Sequence, residues 1–260
     1  MKMEYTIRAF PIAELPVPGW ECFFGTHDCT FHTLIFYVWI VVGNGKTIVI
    51  DSGPPLEERD MQSLVRACQK IDQRSLLRRL RALDDIYSEA AVRADDVDYL
   101  LITQPITYHT GGLHAGSFPN AKVYISRAGF FEFLLDNPGH PPRSEYFTSC
   151  TWNYLRTLLI NNKLVLADSP VEIEPGVFYE STGGHHPGSA AVKVNTAQGC
   201  VGILETAFLK KNIDDLVPIG VAENTALCRK TIRRYVDECD LVLAAHDHTL
   251  LDRFPGGRIA

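Results

Sequence analysis

The sequence lacks an apolar segment long enough to cross a bilayer. Its longest apolar run covers residues 34–42, about half of the roughly 20 residues that a membrane-spanning helix needs. The amino terminus also lacks a basic segment followed by an apolar run and a small-residue cleavage site, so no secretory signal is visible. We therefore expect a cytoplasmic protein with no membrane partner.

Basic clusters and paired cysteines are scarce too. The chain has 25 basic and 31 acidic residues, a net charge of −6, and no run of Lys or Arg that could follow a phosphate backbone. Its seven cysteines are odd in number and scattered without a Cys-x-x-Cys pair, which is typical of reduced thiols. These absences argue against nucleic acid as a partner and favour a small-molecule substrate.

The apolar pattern predicts one α/β domain. With 260 residues, 46% of them hydrophobic, the chain can bury one substantial core. Residues 34–42 and 47–50 flank a Gly-Asn-Gly turn and predict a hairpin. Apolar residues at three- and four-residue spacing between 56 and 91 predict one or two helices. Further strands are predicted at 97–103, 121–125, 164–166, 177–180, 191–194, 201–204 and 241–244, and helices near 130–135, 150–159 and 225–239. Strands alternating with helices indicate a sandwich of mixed sheets.

Four polar segments, most of them directly after predicted strands, carry side chains that can do chemistry. They are 51–53 (Asp-Ser-Gly), 103–112 (Thr-Gln-Pro-Ile-Thr-Tyr-His-Thr-Gly-Gly), 181–189 (Ser-Thr-Gly-Gly-His-His-Pro-Gly-Ser), and a two-part segment at 205–212 (Glu-Thr-Ala-Phe-Leu-Lys-Lys-Asn) and 245–247 (Ala-His-Asp). Any one of them alone is a weak signal. Their joint occurrence, in this order and at this spacing, is the informative observation.

Together these segments resemble the metallo-β-lactamase superfamily, in its N-acyl-homoserine lactonase-like branch. The family pattern is Asp-Thr-Gly, then Thr-His-x-His-x-Asp-His-x-Gly-Gly, then Thr-Pro-Gly-His-Thr-Pro-Gly-Ser, followed by a bridging aspartate and a last histidine. The likeness covers roughly residues 34–260. It implies an αββα sandwich of two mixed β-sheets flanked by helices, as a single domain over residues 1–260, with the site at the loop ends of the two sheets.

The second segment keeps the frame of the family's HxHxDH motif without most of its ligands. Gln104, Ile106 and Tyr108 stand where the family has two histidines and the aspartate, so His109 alone remains. Isoleucine cannot coordinate a metal, an amide is a weak donor, and tyrosine binds as phenolate or weakly as phenol. The resemblance implies that Asp51 supports the site from behind the ligands, and we place Gln104 in the same supporting position.

The donors that remain belong together on one of the family's two metals. They are His109, His246 and Glu205, and Glu205 takes the place of the bridging aspartate. Three protein ligands with an open position are the minimum for a catalytic zinc or a similar ion. Because glutamate is one methylene longer than aspartate, a lone ion can also come within reach of His185. We therefore expect one divalent metal ion, zinc by preference, in a lactonase-like hydrolase that opens a lactone ring or cleaves a related ester or amide.

The same resemblance implies roles for residues around these four ligands. Tyr108 stands where the family's aspartate acts as a base, and its phenol can hydrogen-bond a substrate oxyanion. Phe208 replaces a substrate-contacting tyrosine, which removes a hydrogen bond to the substrate carbonyl. We also place His32, in a lip over the site, and Trp152 among the substrate contacts. Trp152 lies in an aromatic-rich segment, about 129–160, that caps the pocket in related hydrolases; core packing or a homodimer interface is the alternative for these aromatics.

Two alternative functions and two weaker features remain open. The histidine pocket can work without metal in an isomerisation, a decarboxylation or a ring cleavage, or the protein can bind a ligand without turnover. One stretch offers four donors within eleven residues: Cys22, His27, Cys29 and His32. Their spacing fits no zinc-finger pattern, so an ordinary loop is favoured over a structural zinc. His186 and His248 neighbour ligand positions and are expected to point away as surface residues.

Overall fold

The computed structural model describes residues 4–135 and 147–260. The strands of this part of the chain are β1 (Thr6–Pro18), β2 (Phe31–Gly43), β3 (Lys46–Ile50), β4 (Arg78–Arg79), β5 (Tyr99–Leu101), β6 (Lys122–Ser126), β7 (Leu164–Ala167), β8 (Val171–Glu174), β9 (Val177–Ser181), β10 (Ala190–Thr196), β11 (Gly199–Leu204) and β12 (Leu241–Ala244). The helices are α1 (Gly19–Cys22), α2 (Glu58–Ile71), α3 (Leu83–Ala90), α4 (Thr107–Thr110), α5 (Arg127–Leu135), α6 (Ser149–Ile160), α7 (Lys210–Asp214), α8 (Thr225–Glu238) and α9 (Leu250–Arg253), with 3-10 turns at Ala94–Asp96 and Pro255–Gly257.

The strands form two mixed sheets. The larger has the order β4-β1-β2-β3-β5-β6-β7 and the smaller β12-β11-β10-β9-β8. The predicted hairpin is present: β2 and β3 pair antiparallel, and Asn44 and Gly45 between them both have positive φ, as the tight hairpin turn requires. From β3 onwards the larger sheet is parallel, and β12 runs parallel to β11.

The long apolar run in β2 is explained by burial on both faces of its sheet. Tyr37, Trp39 and Val41 belong to the core between the two sheets. The alternating residues Phe36, Val38 and Ile40 belong to the core on the helix side. Successive strand residues face opposite ways, so a strand covered on both faces reads as a continuous apolar run. The predicted αββα sandwich is confirmed.

The periodicity between residues 56 and 91 corresponds to two helices, α2 and α3. The stretch between them is not helical, although Leu76, Leu77 and Leu80 have helical spacing. Leu76 and Leu80 are each 44% exposed, and the chain instead forms the short strand β4 beside β1. The helical interpretation of residues 76–80 was therefore wrong, because that stretch pairs with a sheet edge.

The structure also contains a long first strand, β1, that the strand pattern does not reveal. Three prolines make it hard to recognise as a strand from the sequence: Pro11, Pro16 and Pro18. Pro11 adjoins a bulge in the pairing with β2, and β4 covers β1 only at Ala13 and Glu14. Proline is tolerated at bulges and along an open edge because no ladder hydrogen bond is lost there.

In the described ranges, no helix combines the length and the apolar character that a bilayer crossing demands. All seven cysteines are free, as predicted. The proposed capping segment at about 129–160 lies partly outside the described residues, since 136–146 are not described. That residues 1–260 form a single domain stays a prediction.

Candidate metal centre

Polar side chains from both sheets meet at one end of the sandwich. Asp51 follows β3, and His109 lies in α4, just after β5. Glu205 follows β11, and His246 follows β12. Because β3 pairs in parallel with β5, and β11 with β12, the carboxyl ends of each pair lie at one edge. The fold thus brings together residues that are far apart in the sequence.

The Gly111-Gly112 pair lets the loop of His109 pack against the loop that follows β3. A Cβ on Gly111 would lie 2.3 Å from the Pro55 nitrogen, and one on Gly112 would lie 2.3 Å from the Ser52 carbonyl oxygen. The N–H of Ser52 donates to the His109 carbonyl at 2.7 Å. This part of the motif frame therefore serves the packing of two loops.

His109, Glu205 and His246 form a buried group with the geometry of a metal site. One ligand atom from each lies within 4.8 Å of the others. Glu205 Oε1 is 3.1 Å from His246 Nε2 and 3.6 Å from His109 Nε2. The other carboxylate oxygen, Oε2, is buried and has no hydrogen-bond partner in the described part of the chain. A buried oxygen of this kind carries a desolvation cost that a bound cation offsets.

In both histidines of the group, the second ring nitrogen, Nδ1, lies near a hydrogen-bond acceptor. His109 Nδ1 is 2.9 Å from Asp51 Oδ2, and His246 Nδ1 is 3.3 Å from the Ile35 carbonyl oxygen. Both acceptors favour a proton on Nδ1, which directs the Nε2 lone pairs towards the shared centre. The hydroxyl and the N–H of Thr103 donate to Asp51 at 2.6 and 2.8 Å. These donor sets fit a divalent ion, and Asp51 lies behind His109 as expected.

The charges of the group depend on one another. Burial opposes ionisation of Glu205, but the rings of His246 and His109 outweigh it and lower the pKa of Glu205 to about 2. Burial also opposes protonation of His109, yet the carboxylates of Glu205 and Asp51 raise its pKa to about 9. For His185 burial prevails over the attraction of Glu205, and its pKa falls to about 4. Near neutral pH the metal-free group therefore carries a proton on His109 and none on His185.

His185, the fourth predicted ligand, lines the same cavity but stands apart from the group of three. Its ring packs edge-on against Phe208, with the centroids 5.0 Å apart. Its Nδ1 is buried and meets no hydrogen-bond partner within residues 4–135 and 147–260. The structure thus brings three of the four predicted ligands together and leaves the fourth nearby as a neutral acceptor.

Tyr108 lines the cavity with its hydroxyl engaged. Its ring stacks on Phe36, with centroids 5.1 Å apart and planes at 11°, and its hydroxyl lies 3.0 Å from Cys68 Sγ on α2. Phe36 also contacts the ring of His246 at 4.6 Å. The sequence alone does not single out Phe36 or Cys68, because each lies in an ordinary apolar pattern of a strand or a helix.

The group opens into a cavity of about 390 Å³, a volume that suits a small molecule. Seven apolar side chains from β1, β2 and α2 line it. Phe208 and Gln104 also line it, and a supporting role for Gln104 stays a prediction.

The expectation for His186 was wrong, and that for His248 is confirmed. His186 lines the cavity because it lies in a turn after β9, where its Nδ1 accepts a hydrogen bond from the N–H of Gly188 at 3.0 Å. A turn does not alternate its side chains as a strand does. His248 is exposed.

The structure places the remaining predicted contacts outside the cavity wall. Trp152 stacks on Phe130 at 6.3 Å and packs against the core, and His32 pairs with Asp28 at 3.0 Å. Neither belongs to the described lining of the cavity. The stretch at 22–32 forms no metal group either, since the cluster at Glu205 is the one found among the described residues.

The two mixed sheets and their flanking helices have the metallo-β-lactamase αββα fold, and this fold carries a candidate metal centre. No family model matches the chain. The N-acyl homoserine lactonase of Bacillus thuringiensis is 27% identical over 138 residues, which are 52% of this chain and 49% of that protein. The match thus spans about half the length of this curated relative.

Two solved structures share the fold over nearly the whole chain. A quorum-quenching N-acyl homoserine lactone lactonase has a TM-score of 0.75 at 20% identity and covers 100% of this chain and 99% of its own. An N-acyl homoserine lactone hydrolase with the product N-hexanoyl-L-homoserine bound at its catalytic metal centre has a TM-score of 0.74 at 20% identity, with coverages of 98% and 99%. The relatives and structural neighbours are thus N-acyl homoserine lactonases of the metallo-β-lactamase superfamily, which confirms the resemblance.

Proposed function

We propose that this protein is a metal-dependent hydrolase that opens a lactone ring or cleaves a related ester or amide. The observation that carries the proposal is the convergence of His109, Glu205 and His246, with an unsatisfied Glu205 oxygen, beside a largely apolar cavity. The similarity to N-acyl homoserine lactonases supports it. The alternative of metal-free, non-hydrolytic chemistry has no observation in its favour.

The residues present fit one divalent ion, and we propose zinc. His109 and His246 would bind it through Nε2, and Glu205 through its carboxylate. Such an ion, when bound, polarises the substrate carbonyl and acidifies the attacking water. Imidazole nitrogen and carboxylate oxygen are common ligands of catalytic zinc, and three protein ligands leave a position open. The site is remodelled compared with the family's two-metal pattern, because the ligands at 104 and 106 are absent.

The chain's own side chains supply orientation and hydrogen bonds. His185 is neutral and presents a buried nitrogen without a partner among the described residues, so it can accept a hydrogen bond from the attacking water. Tyr108 can donate to the oxyanion after its hydroxyl exchanges Cys68 for the substrate. Phe208 packs against the substrate without a hydrogen bond. The apolar wall suits the acyl chain of an N-acyl homoserine lactone or a similar molecule.

Metal content and turnover measured on the same samples test this proposal. We expect about one equivalent of zinc and hydrolysis of acyl lactones or esters by the wild type. The double variant His109→Ala, His246→Ala should lose both. His248→Ala is the matched control, because this exposed histidine lies two positions from His246. Absence of stoichiometric metal under every reconstitution condition would contradict the proposal.

Four other expectations from the sequence stay predictions. They are the cytoplasmic location, the homodimer, and the absence of nucleic-acid and membrane partners. Oligomeric state can be measured by light scattering on the purified protein.

A further inference from the structure

The cavity wall contains one carboxyl that the metal centre does not use. Glu21, in α1, lines the cavity together with the apolar side chains of β1 and α2. Its Oε1 is buried and has no hydrogen-bond partner among the residues that the structure describes. A polar atom left in this state costs free energy, and a ligand that donates to it removes the cost.

The backbone that carries Glu21 is held firmly at the wall. The Glu21 carbonyl oxygen accepts hydrogen bonds from the N–H groups of Gly220 at 2.8 Å and Val221 at 3.3 Å. A Cβ on Gly220 would lie 1.6 Å from the Trp20 carbonyl oxygen, so only glycine permits this approach. The side chain of Asn212 also donates to the Cys22 carbonyl at 2.8 Å. Glu21 is therefore a fixed part of the cavity.

Within residues 4–135 and 147–260, Glu21 forms no ion pair with a basic side chain. The described lining of the cavity includes no Lys or Arg. Burial and the nearby Asp72 carboxylate raise the pKa of Glu21 to about 7. Three basic side chains in this region have other partners: Arg74 pairs with Asp72 at 2.9 Å, His32 with Asp28 at 3.0 Å, and Lys211 Nζ lies 5.2 Å from the Phe23 ring centroid.

Two thiols also lie near Glu21. Burial, with smaller contributions from the carboxylates of Glu21 and Asp28, raises the pKa of Cys22 to about 12. Burial also raises the pKa of Cys68, whose sulfur is engaged with the Tyr108 hydroxyl. Both thiols are neutral at physiological pH, so the net charge in this part of the wall is negative when Glu21 ionises.

We propose that Glu21 binds an amine on the substrate, so that the cavity prefers a molecule whose apolar arm carries an ammonium group over an uncharged molecule of the same shape. An ammonium is a compact cation with three hydrogen-bond donors, and a charge-assisted bond to a carboxylate is stronger than a neutral one. The identity of the reacting end rests on the proposed function. The recognition of the amine by Glu21 is a separate property of the wall.

Binding of two simple probes tests this inference without any turnover. n-Octylamine and 1-octanol have the same chain, and only the amine is cationic at pH 8. By calorimetry, we expect wild-type protein with its bound metal to bind octylamine about tenfold more tightly than octanol. In Glu21→Gln, which keeps the size of the side chain, the two affinities should agree within about twofold. An amine that bound the metal instead would keep its advantage in this variant.

Asp72→Asn is the matched control, because Asp72 is a neighbouring carboxylate outside the described lining of the cavity. This variant should retain the preference for octylamine. Equal binding of both probes by the wild type, or an unchanged preference in Glu21→Gln, would overturn the inference.

A pH series on the wild type gives the same answer if Glu21→Gln fails to fold. The ratio of octylamine to octanol affinity should rise severalfold between pH 5 and pH 8 as Glu21 ionises, and a flat ratio would refute the inference. Because both experiments measure binding, loss of the amine preference and absence of hydrolysis are separate results: the first contradicts this inference, and the second contradicts the proposed function.

Discussion

Metal binding near neutral pH should expel a proton from His109. Glu205 and Asp51 raise the pKa of this buried imidazole to about 9, so at pH 7 about 99% of it is protonated in the metal-free protein. Its Nε2 must lose that proton to bind a cation. At pH 7, two units below this pKa, removing the proton costs about 2.7 kcal/mol. The apparent zinc affinity at pH 7 is therefore about 100-fold weaker than the affinity above pH 9.

Calorimetric titration of zinc into chelator-treated protein measures this release when it is repeated in buffers of different ionisation enthalpy. We expect His109 to contribute about one proton per zinc at pH 7 and about half a proton at pH 9, in addition to the proton that a zinc-bound water releases. His185→Ala should leave the release unchanged, since burial already keeps His185 neutral with a pKa of about 4. Zinc binding at pH 7 with no proton release would refute the reasoning.

Three further predictions concern stability and turnover. Burial raises the pKa of Glu21 to about 7, so as the pH rises Glu21 ionises in the unfolded chain before it ionises in the folded protein, and stability is lost between pH 4.5 and 7. After allowance for solvent screening, Glu21→Gln should therefore raise the free energy of unfolding by about 1 kcal/mol at pH 8 and by almost nothing at pH 4.5. Urea titration at the two pH values measures this difference. A Cβ at Gly112 meets backbone at 2.3 Å, so Gly112→Ala should cost about 2 kcal/mol or more, and a smaller loss would show that the loop yields. Tyr108→Phe removes the hydroxyl that contacts Cys68. If the phenol donates to the oxyanion, this variant should lower kcat by about tenfold with little change in KM. An unchanged kcat would mean that Tyr108 has only a packing role.

The chemistry at the ends of the strands could be predicted from the sequence because it depends on local pattern. The apolar run of β2 and the polar segments after β3, β5, β9 and β11 indicate a sandwich with loops that carry donors. The resemblance to the metallo-β-lactamase pattern implies that His109, Glu205 and His246 are donors and that ligands are missing at 104 and 106. The same resemblance implies that these donors meet, and the parallel pairing of β3 with β5 and of β11 with β12 places them at one edge.

Other parts of the site depend on contacts between distant segments and have no local signal. Glu21 lies at the cavity because the N–H groups of Gly220 and Val221 bind its carbonyl oxygen and hold α1 in place. Cys68 faces Tyr108 because α2 packs over the larger sheet. Because of its prolines, β1 is not predicted as a strand from the sequence, and its pairing with β2 in the structure identifies it as one.

The sequence by itself determined an α/β sandwich through its apolar spacing, and its resemblance to the metallo-β-lactamase pattern implied the αββα fold and the set of donors. Tertiary structure decided which donors share one centre. It turns His109 by a hydrogen bond to Asp51 and His246 by a bond to the Ile35 carbonyl oxygen, and it leaves His185 apart from the group. The physical reason is that a ligand set is defined by the orientation of ring nitrogens, and those orientations are set by acceptors from other strands.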